Sequence, residues 1–140
     1  VGREVSYDEY DVYTLVCALK AFIRELPTPL IPRSTYAHLA SAATVDPQEL
    51  PGFVARNFVQ PLDERSKCLL QDVMLLSASA SQLSSVNRMT SKAIAIVWVP
   101  TMIRHGSPEE DFQSFNASEI VIEAMISRYV DIFVHKESKW

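Results

Sequence analysis

Residues 11–32 read DVYTLVCALKAFIRELPTPLIP, and this stretch decides the fold class. Val12, Leu15, Val16, Leu19, Phe22, Ile23 and Leu26 recur at three- and four-residue spacing, which predicts a helix over about 11–26 with all seven on one face. Pro27 and Pro29 stop that helix, because proline lacks an N–H and pushes the preceding residue out of helical geometry. Pro27 to Pro32 then reads as a stiff, extended connector. Its Pro29–Pro32 pair has the spacing of a proline-docking peptide, but Leu30 and Ile31 between them are expected to enter the core.

Working outward, Ser34 is the expected cap of a short helix through Tyr36, Leu39 and Ala40. Asp46-Pro47 resembles the start of another, interrupted at Pro51-Gly52. Pro61 is expected to open a longer helix whose buried stripe holds Leu62, Leu69, Leu70, Val73, Met74, Leu76 and Leu83. Residues 94–99, IAIVWV, are β-branched enough for a buried strand. Ile94, Val97, Trp98, Thr101 and Met102 also fit one helical stripe, Thr90 can cap it, and the flanking helices favour helix, with Pro100 kinking its end. Residues 105–115 read as a polar, acidic loop. Asn116 to Glu119 approximates a capping box opening a last helix with Ile120, Val121, Met125, Ile126, Val130 and Phe133. The sum is an all-α domain of five to seven helices over residues 1–140.

Composition narrows the function classes. The chain has 140 residues, 48% of them hydrophobic, enough for one core. Its three glycines, Gly2, Gly52 and Gly106, are far apart, which excludes a Walker loop or a dinucleotide fingerprint. A formal net charge of −4 argues against non-specific nucleic-acid binding. Cys17 and Cys68 form no C-x-x-C and are expected to be buried free thiols in a reducing cytosol. The longest apolar run, Ala93 to Pro100, is too short to cross a bilayer, and the first residues show no signal region; a soluble, intracellular domain is expected.

Little in the sequence supports hydrolytic or metal chemistry. His38, His105 and His135 are scattered and read as surface residues. Asp8, Glu9 and Asp11 precede a helix, where acids favour the dipole, and Glu109, Glu110 and Asp111 read as a solvated loop. No metal site and no cofactor is expected. More informative are Lys20 and Arg24, one turn apart on the first helix, with no acid four residues before the one or after the other. Such a pair suits an anion, an acidic partner, a helix C-terminal carbonyl or an ordinary solvated face.

The string from Asp11 to Pro32 closely resembles a conserved block of RhoGAP domains, roughly L-K-x-x-L-R-E-L-P-x-P-L-I-P. Val86-Asn-Arg-Met-Thr-Ser-Lys-Ala-Ile-Ala-Ile-Val-Trp-Val-Pro-Thr-Met-Ile-Arg104 is similar to a second block, V-N-K-M-T-x-x-N-L-A-x-V-F-G-P-x-L-L-R. The resemblance, from about Asp8 to Phe133, implies an all-helical module that docks on a GTP-loaded Rho-family GTPase and speeds hydrolysis through an arginine finger. By matching position, Lys20 would contact the GTPase and Arg24 would support the finger loop and binding face. Asn87 and Pro100 match the second block's Asn and Pro. Ala93 stands where the family usually has a GTPase-contacting Asn, and Trp98-Val99 replaces Phe-Gly. The finger's G-x-x-R-x-S-G-like loop is absent, and Gly2-Arg3-Glu4 lacks its context. These features imply a RhoGAP-like domain without its first quarter. It would be either part of an active domain or a binding module without activating power, cytoplasmic and recruited to membranes by other domains. Which Rho-family member it binds, and its oligomeric state, stay open.

Overall fold

The computed structural model describes residues 12–134 and contains no strand among them. Helix α1 spans Val12–Arg24 and leads through the proline connector to a 3-10 turn, Arg33–His38, that runs into α2, Leu39–Ala42. Helix α3, Leu50–Val54, continues as a π turn, Ala55–Val59. There follow α4 (Glu64–Ser81), α5 (Ser84–Asn87), α6 (Ser91–Met102) and α7 (Pro108–Ser127), with a second π turn at Val130–Val134. Helix α7 is the central post: it packs most extensively on α6 and also touches α2, α3 and α4. Its Val121, Ile122 and Met125 are fully enclosed. Helix α6 in turn packs on α1 and α4.

Local chemistry explains most of the helix starts. Asp63, extended at the start of α4, accepts a 2.8 Å hydrogen bond from the Ser66 amide, so the cap lies two residues beyond Pro61. Thr90 caps α6 by accepting from the Ala93 amide at 3.1 Å, which settles residues 94–99 as helix. Pro51 occupies the first turn of α3, where its missing N–H costs nothing, so Pro51-Gly52 lies within the helix rather than interrupting it. Asp46 does not cap a helix starting at Pro47; its carboxylate instead closes a turn on the Gln48 amide at 2.9 Å.

Elsewhere the structure corrects the sequence reading. Ser34 is not a cap: the turn begins after Pro32, and no side chain caps it. Residues 108–115 are not a loop. Ser107 and Pro108 start α7 nine residues ahead of Asn116, and Glu109, Glu110 and Asp111 fill its first turn, where their charge suits the dipole. Asn116 lies in the helix interior.

Burial departs from periodicity as well. Among the α1 residues whose burial is described only Ile23 is buried, while Val16 and Phe22 are 41% and 57% exposed. Leu76, Leu83, Val97 and Val130, all expected in buried stripes, are also exposed. Cys17 and Cys68 are exposed free thiols rather than buried ones. The connector behaves as expected, burying Leu30 and Ile31, each such side chain contributing about 1.5–3 kcal/mol.

Candidate functional site

Helix α1 carries Lys20 half-buried and Arg24 exposed as its last residue. Neither has an ion-pair partner among the described residues. Arg24 lies where the helix dipole is negative, so the helix itself favours its charge. Val16, one turn before Lys20, extends the row, giving an apolar–basic–basic stripe that solvent reaches.

Helix α6 presents a matching apolar row. Ala93 and Pro100 are seven residues apart, about two turns, and so share a face. Between them Ile96 and Val97 are 43% and 38% exposed. The sequence reading puts Val97 in a buried stripe and gives Ile96 no role, although their three- and four-residue spacing from Ala93 and Pro100 is legible there. Ala93 uses only its backbone N–H, on Thr90, and its methyl can make no hydrogen bond. Pro100 has no N–H to donate to the preceding turn, and it is exposed.

Asn87 is exposed, but both ends of its amide are engaged within the chain. Its Nδ2 donates to the Ala80 carbonyl at 2.9 Å, and its Oδ1 accepts from the Met89 amide at 2.8 Å. The side chain thereby ties the end of α4 to the entry of α6, across Arg88, which is held at φ 60°. At the other flank, Lys92 reaches Glu119 at 3.8 Å, and Ser91 donates to Glu123, fastening the start of α6 to α7.

The ends of α1 and α6 are joined by the connector. The Ile31 amide donates to the Met102 carbonyl at 3.4 Å. The Tyr36 hydroxyl donates to the Ile31 carbonyl at 2.8 Å and accepts from the Arg104 amide at 2.9 Å. Burial pushes the Tyr36 phenol above its ordinary value of 10.0, against the opposing pull of the Arg104 amide hydrogen bond and of the Arg33 and Arg104 charges. It stays a neutral hydroxyl, able to donate and accept at once.

Of the histidines, His38 is exposed, edge-on to Phe53 and Phe58. His105 is not a free surface residue: its side chain is 14% exposed, its Nδ1 lies 3.0 Å from Asp111, and its ring rests against Tyr36. His135 and Arg3, like Asp8, Glu9 and Asp11, lie outside the described residues. Among the described residues no group of three or more His, Cys, Asp or Glu could hold a metal, and no helix is long and apolar enough to cross a membrane.

The described residues thus form an all-helical array that exposes a basic row on α1 and an apolar row on its neighbour α6. The sequence profile of the RhoGAP domain matches residues 2–107, and the chain belongs to that family. Human Rho GTPase-activating protein 26 is 29% identical over 129 residues, 89% of this chain and 16% of that protein. Rho GTPase-activating protein gacN of Dictyostelium discoideum is 28% identical over 142 residues, 98% of this chain and 23% of its own length. The chain thus spans less than a quarter of these relatives. The crystal structure of the BH domain from GRAF, the GTPase regulator associated with focal adhesion kinase, superposes with a TM-score of 0.82 at 25% identity, covering 94% of this chain and 71% of that one. Human Rho GTPase activating protein 15 gives 0.84 at 25% identity, covering 94% and 64%.

Proposed function

We propose that this chain is the docking part of a RhoGAP domain that binds a GTP-loaded Rho-family GTPase through Lys20, Arg24, Asn87, Ala93 and Pro100. The observation that carries the reading is the Lys20–Arg24 row, two cations on one face with no internal acid to neutralise them among the described residues. An acidic partner surface supplies the missing charge, and the exposed Ile96 and Val97 supply apolar contact beside it. Within the site, Asn87 acts by fixing the α4–α6 link, since its amide already serves two backbone groups.

Acceleration of hydrolysis requires a cation at the transferring phosphoryl group, and an arginine finger contributes about 10³–10⁵ in rate. None of the 140 residues shows an arginine in the family's finger context. In this reading the finger comes from a segment upstream of Val1 in a longer domain, and the exposed Phe22 and Leu76 suit packing against such a segment. A second reading, a module that binds without activating, is favoured by Ala93, whose side chain cannot hydrogen-bond a GTPase.

Reversing both charges, Lys20→Glu with Arg24→Glu, tests docking. Affinity for Rho-, Rac- and Cdc-type GTPases loaded with a non-hydrolysable GTP analogue is expected to fall at least about tenfold, with circular dichroism unchanged. Unchanged affinity removes the docking face. In multiple-turnover phosphate release the 140-residue chain is expected to give little stimulation; stimulation equal to that of an intact family member would show that no outside finger is needed.

A further inference from the structure

The connector does more than end α1. Three hydrogen bonds join residues 31–36 to residues 102–104: Ile31 to Met102, Arg104 to Tyr36, and the Arg33 Nε to the Arg104 carbonyl at 2.9 Å; a fourth, Tyr36 to Ile31, lies within the connector itself. They close a small clamp at the point where α6 ends and the chain turns extended at Ile103. Tyr36 is its pivot, because one hydroxyl satisfies a carbonyl from the α1 side and an amide from the α6 side. Arg33 backs it from outside, its guanidinium lying over Gly106, which is held at φ 92°.

We infer that Tyr36 is a positioning residue for partner binding: its hydroxyl sets the exit of α1 against the exit of α6, so that the Lys20–Arg24 row and the Ala93–Pro100 row are presented in one fixed relation. This inference rests on the docking reading above. Its physical basis is preorganisation. Two rows on separate helices bind one rigid partner well only when the tie between the helices does not have to be ordered during binding. Leu30 and Ile31 anchor the connector in the core, yet apolar burial alone is non-directional and leaves the backbone of 31–33 free to shift against 102–104. Hydrogen bonds with defined donors and acceptors remove that freedom.

The test is a double-mutant cycle in the full chain, reading affinity for the GTP-analogue-loaded GTPase that binds it best. Tyr36→Phe keeps the ring against His105 and deletes only the bridging hydroxyl. It is expected to weaken binding about tenfold with unchanged helicity, and by less than about twofold once Arg24→Ala has removed the cation whose placement it governs. An equal loss in both backgrounds assigns Tyr36 to general packing and overturns the inference. So does unchanged affinity in Tyr36→Phe while Arg24→Ala still weakens binding; the docking reading then survives alone. If Arg24→Ala and the double charge reversal both leave affinity unchanged, the docking reading falls, and the inference with it. Should Tyr36→Phe fail to fold, Arg33→Ala opens the outer arm of the clamp from an exposed position. A several-fold weakening that disappears in the Arg24→Ala background supports the inference, and no effect overturns it.

Discussion

Asn87 shows how much a single side chain decides here. In the sequence it is one letter of a family block, with nothing to say whether its amide faces outward or inward. In the structure both ends of that amide are spent on the backbone, bracketing Arg88 in left-handed geometry. Asn87→Ala deletes both bonds in an exposed setting, so a loss of about 1 kcal/mol is expected, read from the urea midpoint at unchanged m-value. A loss of binding without a loss of stability would instead show that Asn87 touches the partner directly. Ala93 is the opposite case. Its departure from the family pattern is legible in the sequence, because the absence of a hydrogen-bonding group is a property of the residue alone.

Among the elements, those whose local signals agree are legible in the sequence, and those whose local signals conflict are not. Thr90 and α6 were legible because cap and apolar spacing agree. Helix α7 starts nine residues ahead of the expected Asn116 cap: Ser107 and Pro108 suit a helix start, but the acidic Glu109–Asp111 that follow fit a solvated loop equally well. Asp63 makes the cap of α4 testable by pH. The Ser66 amide and hydroxyl and nearby Arg65 hold its carboxyl below the ordinary value of 3.8. A depressed carboxylate stabilises the fold above its unfolded value, and that contribution is lost as pH falls through the folded one. Thermal unfolding should therefore show wild type losing its advantage over Asp63→Ala as pH falls from neutrality to below 3.8. A difference that stays constant over that range would mean the cap acts without its charge.

For the molecule as a whole, the decisive contacts are those between elements distant in sequence. Trp98 on α6 donates its indole N–H to Ser77 Oγ on α4 at 3.0 Å, and Ser77 donates to the Val73 carbonyl at 2.9 Å, all buried. Ser77→Ala leaves the indole N–H unpaired in the core and is expected to cost about 1–3 kcal/mol. Trp98→Phe in the same chain should recover part of that loss in a double-mutant cycle, whereas strict additivity would show the bond contributes nothing. Nothing in the Ser- and Ala-rich stretch 77–85 names Trp98 as the partner of Ser77. The all-α class, the two family blocks and the Lys20–Arg24 row were determined by the sequence itself, because periodicity, proline stops and residue identity are properties of short stretches. Which sides of α1, α4 and α6 stay uncovered, and how Tyr36 ties two helix ends together, only the tertiary structure decided. Burial and long-range hydrogen bonds depend on groups tens of residues away, and no local pattern specifies where the fold will bring them.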